Sequence, residues 1–151
     1  MTRSATLIVG VGSPHGDDRV GWRVTERLAS LVSSLADVRT VADPSEILDW
    51  LDGVRTLHAC DACHFSGAAG HVHRWQWPDV PANVSKTAWS SHGVTLPQAL
   101  ALAGALGVLP DDVTIWGIEI AAARTAEPLS PALEQVATAV AEQIAGELAD
   151  A

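Results

Sequence analysis

Short apolar runs alternate with segments of helical periodicity along this chain, and this alternation constrains the fold more than any other feature. The first run, Ala5–Val11 (ATLIVGV), is nearly all apolar and ends in glycine and proline, as expected of a strand covered on both faces. Apolar residues then recur at helical spacing from about Asp18 to Leu35, which predicts an amphipathic helix. Strands that alternate with helices are typical of a mostly parallel sheet packed between helices.

The rest of the chain continues the same alternation. Further strands are predicted at Val38–Ala42, Val54–Cys60, Gly70–Trp75 and Val113–Ile120, the third of these being a candidate for an antiparallel strand. Further helices are predicted from Pro44 to about Leu51–Gly53, over Leu96–Leu106 and from Ser130–Pro131 onwards, with a loop over residues 76–91. The prediction is a single α/β domain, residues 1–151, with about five strands in a three-layer helix–sheet–helix sandwich around a mostly parallel, twisted sheet.

The negative net charge of the chain narrows the classes of molecule that it is expected to bind. The formal net charge is −9 and the sequence contains no run of lysines or arginines. Nucleic acids and anionic membranes both require a basic surface, so neither is an expected partner, whereas a metal cation or a basic peptide fits the sign. The first apolar run is too short for a membrane span and nothing resembles an export signal, so we expect a cytoplasmic protein.

The turn after the first strand resembles a nucleotide-binding turn. Gly10–Gly16 has the pattern G-x-G-x-x-x-G between a strand and a helix, and Asp43 could serve as a ribose-binding acid, so a dinucleotide-binding protein is one alternative. However, Asp17 and Asp18 occupy the helix start where a pyrophosphate would bind, and their carboxylates would repel it. One acid at a helix start is commonly a cap, and Asp17 is explained in that way. Capping of one helix does not require the second acid, Asp18.

Two carboxylates and one imidazole are expected at one edge of the sheet. Asp18 follows the first strand, Asp61 follows the apolar run of the third, and His92 precedes the helix that begins near Leu96. Ligands of parallel sheets gather beyond the carboxyl ends of the strands, where these three side chains could converge. Such a mixed oxygen and nitrogen set with open coordination positions suits a divalent ion such as nickel or zinc.

Five segments in this order resemble the hydrogenase maturation endopeptidases. They are LIVGVGSPHGDDRVGWRVTERL, the strand end LHACDA, SSHGVTLPQALALAGALG, VTIWGIEI and PLSPALEQVA, and together they span nearly the whole chain. The resemblance implies a phosphorylase/hydrolase-like fold and an endopeptidase that removes the C-terminal extension from the nickel-loaded large subunit precursor of a nickel–iron hydrogenase.

The resemblance also assigns the site. It implies that Asp18, Asp61 and His92 are at once the metal-binding and the catalytic residues, that the nickel arrives with the precursor, and that zinc or cadmium could replace it. The bound metal would polarise the scissile carbonyl or activate a water, or Asp18 or Asp61 would act as a general base. Glu119, in the GIE stretch, could support the site or be a solvated acid at a strand end.

Two positions depart from the family pattern. Ser13 stands where the family usually has asparagine, with one residue fewer before the paired acids, and Arg19 stands where it usually has glycine. These differences bear on which precursor is the client.

The segment HACDACH offers a second metal-binding alternative. Cys60 and Cys63 with His58 and His64 could hold zinc, and His71 and His73 follow. A closed site would require the strand end to fold back, because neighbouring strand residues point to opposite faces, so we expect Cys60 to be a buried apolar residue. Most of the six tryptophans are expected in the core, although Trp75, Trp77 and Trp89 flank the loop beside the expected site and could contact a partner.

Two classes of function remain open from the sequence. The first is the metal-dependent endopeptidase, and the second is a non-catalytic nickel-binding assembly factor on the same scaffold. No Ser/His/Asp or Cys/His nucleophile set is apparent in the sequence, so any proteolysis is expected to proceed through the metal.

Overall fold

The protein contains one five-stranded sheet. A computed structural model describes residues 5–32, 34–65, 68–81, 89, 93–121 and 128–150. The strands are β1 (Thr6–Val11), β2 (Asp37–Val41), β3 (Thr56–Cys63), β4 (Val72–Gln76) and β5 (Asp112–Glu119). The helices are α1 (Val20–Leu31), α2 (Leu96–Ala105) and α3 (Pro131–Ala149), with 3-10 helices at Gly16–Arg19 and Pro44–Trp50.

The sheet is mostly parallel, as predicted. Its strand order is β2-β1-β3-β5-β4. The first four strands in that order run parallel to one another, and β4 pairs antiparallel with β5. Both the parallel sheet and the antiparallel fourth strand were expected from the sequence.

Two apolar cores lie on opposite faces of the sheet. On one face, Val24 and Leu28 of α1 pack with Val140 and Ile144 of α3. On the other face, the 3-10 helix Pro44–Trp50 packs with α2 and with inward-facing residues of the strands. The sheet is therefore covered on both sides, which explains its nearly continuous apolar strands and confirms the three-layer prediction.

The main differences from the predicted elements concern the first helix, the segment after β2 and the end of β3. The first helical turn after β1 is a 3-10 turn, and α1 ends at Leu31 rather than Leu35. The segment after β2 is a 3-10 helix, with the side chain of Asp43 accepting from Ser45 N. Strand β3 does not end at Cys60, because its ladder with β5 continues to the pair Cys63 and Glu119.

The connections reverse the order of the sheet between two neighbouring strands. The chain leaves β1 through α1 and reaches β2 on one side, whereas the chain that leaves β3 continues to β4 and β5 on the other side. Strands β1 and β3 are neighbours, so the order of the sheet reverses between them. In open α/β sheets this switch point is where ligands bind. Within the described part of the chain, none of the helices could span a membrane.

Candidate metal-recognition site

Glycines bring the start of α1 directly onto the sheet. A Cβ atom on Gly21 would lie 2.2 Å from the carbonyl oxygen of Val11 and 2.8 Å from that of Cys60. A Cβ on Gly10 would lie 2.2 Å from the carbonyl oxygen of Gly21. This backbone-to-backbone contact requires glycine on both sides. It places the 3-10 turn Gly16–Arg19 above the carboxyl ends of β1 and β3.

The two adjacent acids of this turn have different roles. Asp17 Oδ1 accepts a hydrogen bond from the backbone N–H of Ser130, at 2.9 Å. Ser130 is the N-cap residue of α3, so Asp17 ties the start of that helix to the turn. Asp17 therefore satisfies a helix terminus, as expected of a cap, but the helix is α3 and not the one that follows it in sequence.

Asp18 is buried and only half satisfied. Asp18 is 8% exposed. Its Oδ2 accepts a hydrogen bond from the hydroxyl of Ser13, at 2.5 Å. Among the described residues, Oδ1 has no hydrogen-bond partner although it is buried. A buried carboxylate oxygen left in this state is costly, and a cation bound there would compensate for it.

Ser13 and Arg19, the two departures from the family pattern, now have assigned contacts. Ser13 holds Asp18 directly and also accepts from the backbone N–H of His15, at 3.3 Å. The Arg19 guanidinium donates to the carbonyl oxygen of Pro14, at 3.2 Å, on the exposed side of the loop. Ser13 therefore orients the Asp18 carboxylate. The additional positive charge, Arg19, is bound to the backbone of Pro14.

Asp61 lies inside β3 and not beyond its end. The residue is fully buried and pairs in register with Gly117 of β5. Burial first, and then the negative charge of Asp61, raise the pKa of the Cys60 thiol. A Cβ atom on Gly21 would lie 2.8 Å from the carbonyl oxygen of Cys60, the residue before Asp61. The turn that carries Asp18 thus contacts β3, the strand that carries Asp61, and the convergence of the two carboxylates stays a prediction.

His92 falls outside the described residues, so its convergence with the two acids remains a prediction. The described chain resumes at Gly93 and leads to Thr95, the N-cap of α2. Thr95 and Gln98 form a reciprocal capping box, with the threonine hydroxyl accepting from Gln98 N and the Gln98 side chain accepting from Thr95 N. The start of α2 is therefore well fixed immediately after the predicted ligand.

Glu119 is not a solvated acid, because it is fully buried. Its two carboxylate oxygens accept from the backbone N–H of Phe65 at 2.9 and 3.0 Å, and Oε1 lies 2.8 Å from Nε2 of His73. Cys63 also hydrogen-bonds to Glu119. Burial, the charges of Glu119 and Asp61, and this hydrogen bond raise the pKa of the Cys63 thiol.

The CxxC pair does not form a shared metal site. Cys60 and Cys63 are both buried, but they belong to cores on opposite faces of the sheet. Nδ1 of His58 accepts from the indole N–H of Trp116 at 3.1 Å, and burial lowers the pKa of this imidazole. Cys60 is thus the buried apolar residue that the sequence predicts.

Trp75 and Trp89 pack against each other and against Phe65, whereas most of the loop predicted over residues 76–91 lies outside the described residues. Trp89 is 3% exposed, and its ring lies 5.2 Å from that of Phe65 and 6.1 Å from that of Trp75, measured between centroids. Trp75 and Trp77 are half-buried against the same core. Packing accounts for these rings.

Comparisons with known proteins support the fold. No protein-family model matches the chain, and no curated protein matches it at a significant level. Among solved structures, the hydrogenase maturating endopeptidase HybD from E. coli superposes with a TM-score of 0.81 at 22% identity, over 99% of this chain and 93% of that one. The [NiFe] hydrogenase maturation protease HycI from Thermococcus kodakarensis has a TM-score of 0.71 at 24% identity, over 97% of this chain and 92% of that one. HybD from Thermococcus kodakarensis has a TM-score of 0.74 at 20% identity, over 97% of this chain and 99% of that one.

The protein therefore has the fold of the hydrogenase maturation endopeptidases over nearly its whole length. At these identities the superpositions establish the architecture, and they confirm the fold that the sequence resemblance implied.

Proposed function

We propose that this protein is an endopeptidase that removes the C-terminal extension from the nickel-loaded precursor of a [NiFe] hydrogenase large subunit. Two observations support the proposal. The fold is that of hydrogenase maturation endopeptidases over nearly the whole chain. The observation that carries the metal-dependent part is the buried Oδ1 of Asp18, which has no hydrogen-bond partner among the described residues and belongs to a turn that contacts β3, the strand of Asp61.

Asp18, Asp61 and His92 are proposed to complete the coordination of the nickel ion that the substrate brings. In this account the ion is part of the substrate, and zinc or cadmium could replace it experimentally. Carboxylate oxygens attract a divalent cation but hold borderline transition ions less tightly than thiolates do, so the cleaved product can leave with its metal. Ser13 orients the Asp18 carboxylate through the hydrogen bond to Oδ2.

The chemistry has two routes at this site. The metal can polarise the scissile carbonyl, which places positive charge where the oxyanion develops, or it can lower the pKa of a bound water that then attacks the carbonyl. In the second route Asp18 or Asp61 receives a proton of the attacking water and passes it to the departing amine nitrogen as the peptide bond breaks. Both routes depend on the negative charge of the two carboxylates.

A cleavage assay with Asp18→Asn tests the proposal. Purified protein is incubated with a nickel-loaded large subunit precursor, and removal of the C-terminal extension is followed by mass spectrometry. We expect cleavage by the unmodified protein and a loss of at least about 100-fold for Asp18→Asn, because the substitution removes the charge that attracts the metal.

Asp17→Asn is the matched control. It makes the same chemical change one residue earlier, and the asparagine carbonyl can still accept from Ser130 N. Cleavage should therefore stay within about threefold of the unmodified protein. Equal losses in the two variants would contradict the assignment of Asp18. Nickel-dependent binding of the precursor without any cleavage would overturn the endopeptidase and establish an assembly factor.

A further inference from the structure

Three neighbouring strands bring together a cysteine, a histidine and a glutamate that the proposed function does not use. One ligand atom each of Cys63, His73 and Glu119 lies within 4.8 Å of the other two. Cys63 on β3 pairs in register with Glu119 on β5, and His73 lies on β4, the antiparallel neighbour of β5. Because all three residues lie in one sheet, their relative positions are fixed by backbone hydrogen bonds.

Hydrogen bonds connect the three side chains of this cluster. The Cys63 thiol donates to Glu119, and Nε2 of His73 lies 2.8 Å from Oε1 of Glu119. Each of these contacts passes through a hydrogen that a metal ion would replace. A nucleophilic role for the thiol is disfavoured, because burial and the neighbouring carboxylates raise its pKa and keep it protonated.

The donor set matches a borderline divalent ion. A thiolate, a carboxylate and a neutral imidazole carry a total charge of −2, so a divalent cation would leave the buried centre neutral. Sulfur and nitrogen ligands favour zinc and cobalt, whereas magnesium and calcium require oxygen ligands. Ligand atoms around such an ion stand about 3.5 Å apart, so side-chain movements of about 1 Å would suffice.

The surroundings already orient the ligands. The backbone N–H of Phe65 donates to both oxygens of Glu119, an outer contact of the kind that fixes metal-binding carboxylates. The His73 ring stacks on Trp75 with 4.6 Å between centroids and 9° between planes. Cys63 and Glu119 are fully buried, whereas the His73 side chain is 18% exposed, which leaves an approach for the ion.

We propose that Cys63, His73 and Glu119 form a three-ligand site for zinc or a similar borderline divalent ion, independent of the site at Asp18 and Asp61. Binding forms metal–sulfur, metal–nitrogen and metal–oxygen bonds and breaks the S–H bond and the N–H bond at Nε2 of His73. The thiol proton passes to solvent, and the proton of Nε2 moves by exchange with solvent to Nδ1, so that the imidazole stays neutral. A metal-bound cysteine is deprotonated by the cation, so the raised pKa of the free thiol does not oppose binding.

Cobalt(II) is the probe that tests this proposal, because a cobalt–thiolate bond gives an intense charge-transfer band in the near ultraviolet and carboxylates do not. Titration of the full chain with cobalt should produce this band with one equivalent, and zinc should abolish it. Cys63→Ala should abolish the band, and Cys60→Ala, the matched control on the opposite face of β3, should retain it. Absence of the band in the unmodified protein, or its persistence in Cys63→Ala, would overturn the proposal.

Two further variants keep the test decisive. His73→Gln, at the one partly exposed position of the three, should weaken cobalt binding at least about tenfold without loss of the folded state. Unchanged affinity in that variant would contradict the site even if Cys63→Ala failed to fold. Asp18→Asn should leave the band unchanged, so a failure of the cleavage proposal and a failure of this one give different results.

Discussion

Gly21→Ala tests whether backbone contact positions the Asp18 turn. The new Cβ would lie 2.2 Å from the carbonyl oxygen of Val11 and 2.8 Å from that of Cys60. Both atoms are backbone atoms of central strands, so neither can rotate away. To reach the lower limit of 3.0 Å, helix α1 and strand β1 must separate by about 0.8 Å.

The expected change in the free energy of unfolding of Gly21→Ala combines two opposing contributions. Alanine in a helix is favoured over glycine by about 1 kcal/mol, whereas an overpacked contact in a rigid interior costs about 1–3 kcal/mol and occasionally more. Because the colliding atoms are backbone, we expect the upper part of that range, with a net loss of about 2 kcal/mol. For a chain of this size the midpoint of thermal unfolding should fall by about 4–8 °C.

Urea unfolding of Gly21→Ala and Gly146→Ala measures this effect with a matched control. Gly146 lies in α3, and a Cβ there meets no atom within 4 Å. That substitution should raise the free energy of unfolding by up to about 1 kcal/mol through helix propensity alone. The two variants should therefore shift in opposite directions. A Gly21→Ala variant as stable as the unmodified protein would refute the close contact and, with it, the placement of the turn.

Three other predictions concern the same turn and a buried histidine. Asp17→Ala should lower the free energy of unfolding by about 1 kcal/mol in urea titrations, because the Ser130 N–H loses its acceptor, while Asp17→Asn should retain most of it. Ser13→Ala should reduce cleavage of the nickel-loaded precursor about 10- to 100-fold by releasing Asp18, without a matching loss of stability. The pKa of His58 lies below its ordinary value of 6.5 because burial disfavours the imidazolium. Below about pH 6.5 the unfolded chain therefore takes up a proton that the folded chain refuses, and stability should fall as the pH falls. His58→Gln should remove this component when unfolding is compared at about pH 7.5 and about pH 5.5, and an unchanged pH dependence would contradict it.

Much of the fold follows from local periodicity. Apolar runs such as Ala5–Val11 predict buried strands because both faces of the sheet are covered. The sequence also made β4 a candidate for the antiparallel strand. The end of β3 could not be located in the same way. Asp61 interrupts the apolar pattern, but pairing with β5 continues to Cys63, since the ladder between neighbouring strands decides where a strand ends.

The position of Asp18 was accessible to sequence reasoning because it follows the end of β1, whereas Asp61 proved to lie inside β3. The partner of Asp17 was not accessible, since Ser130 is 113 residues away and only the packing of α3 on α1 brings it near. The Cys63, His73 and Glu119 cluster was missed for the same reason. It depends on the register between β3, β4 and β5, and the histidine of β4, His73, was the one local signal.

The central claim is that a metal ion on the substrate is what the Asp18 and Asp61 edge recognises. The most direct measurement compares cleavage of one precursor in its nickel-loaded and nickel-free forms, at equal concentrations and with the same purified protein. The account predicts rapid removal of the C-terminal extension from the loaded form and little or none from the other. Equal cleavage of both forms would contradict it.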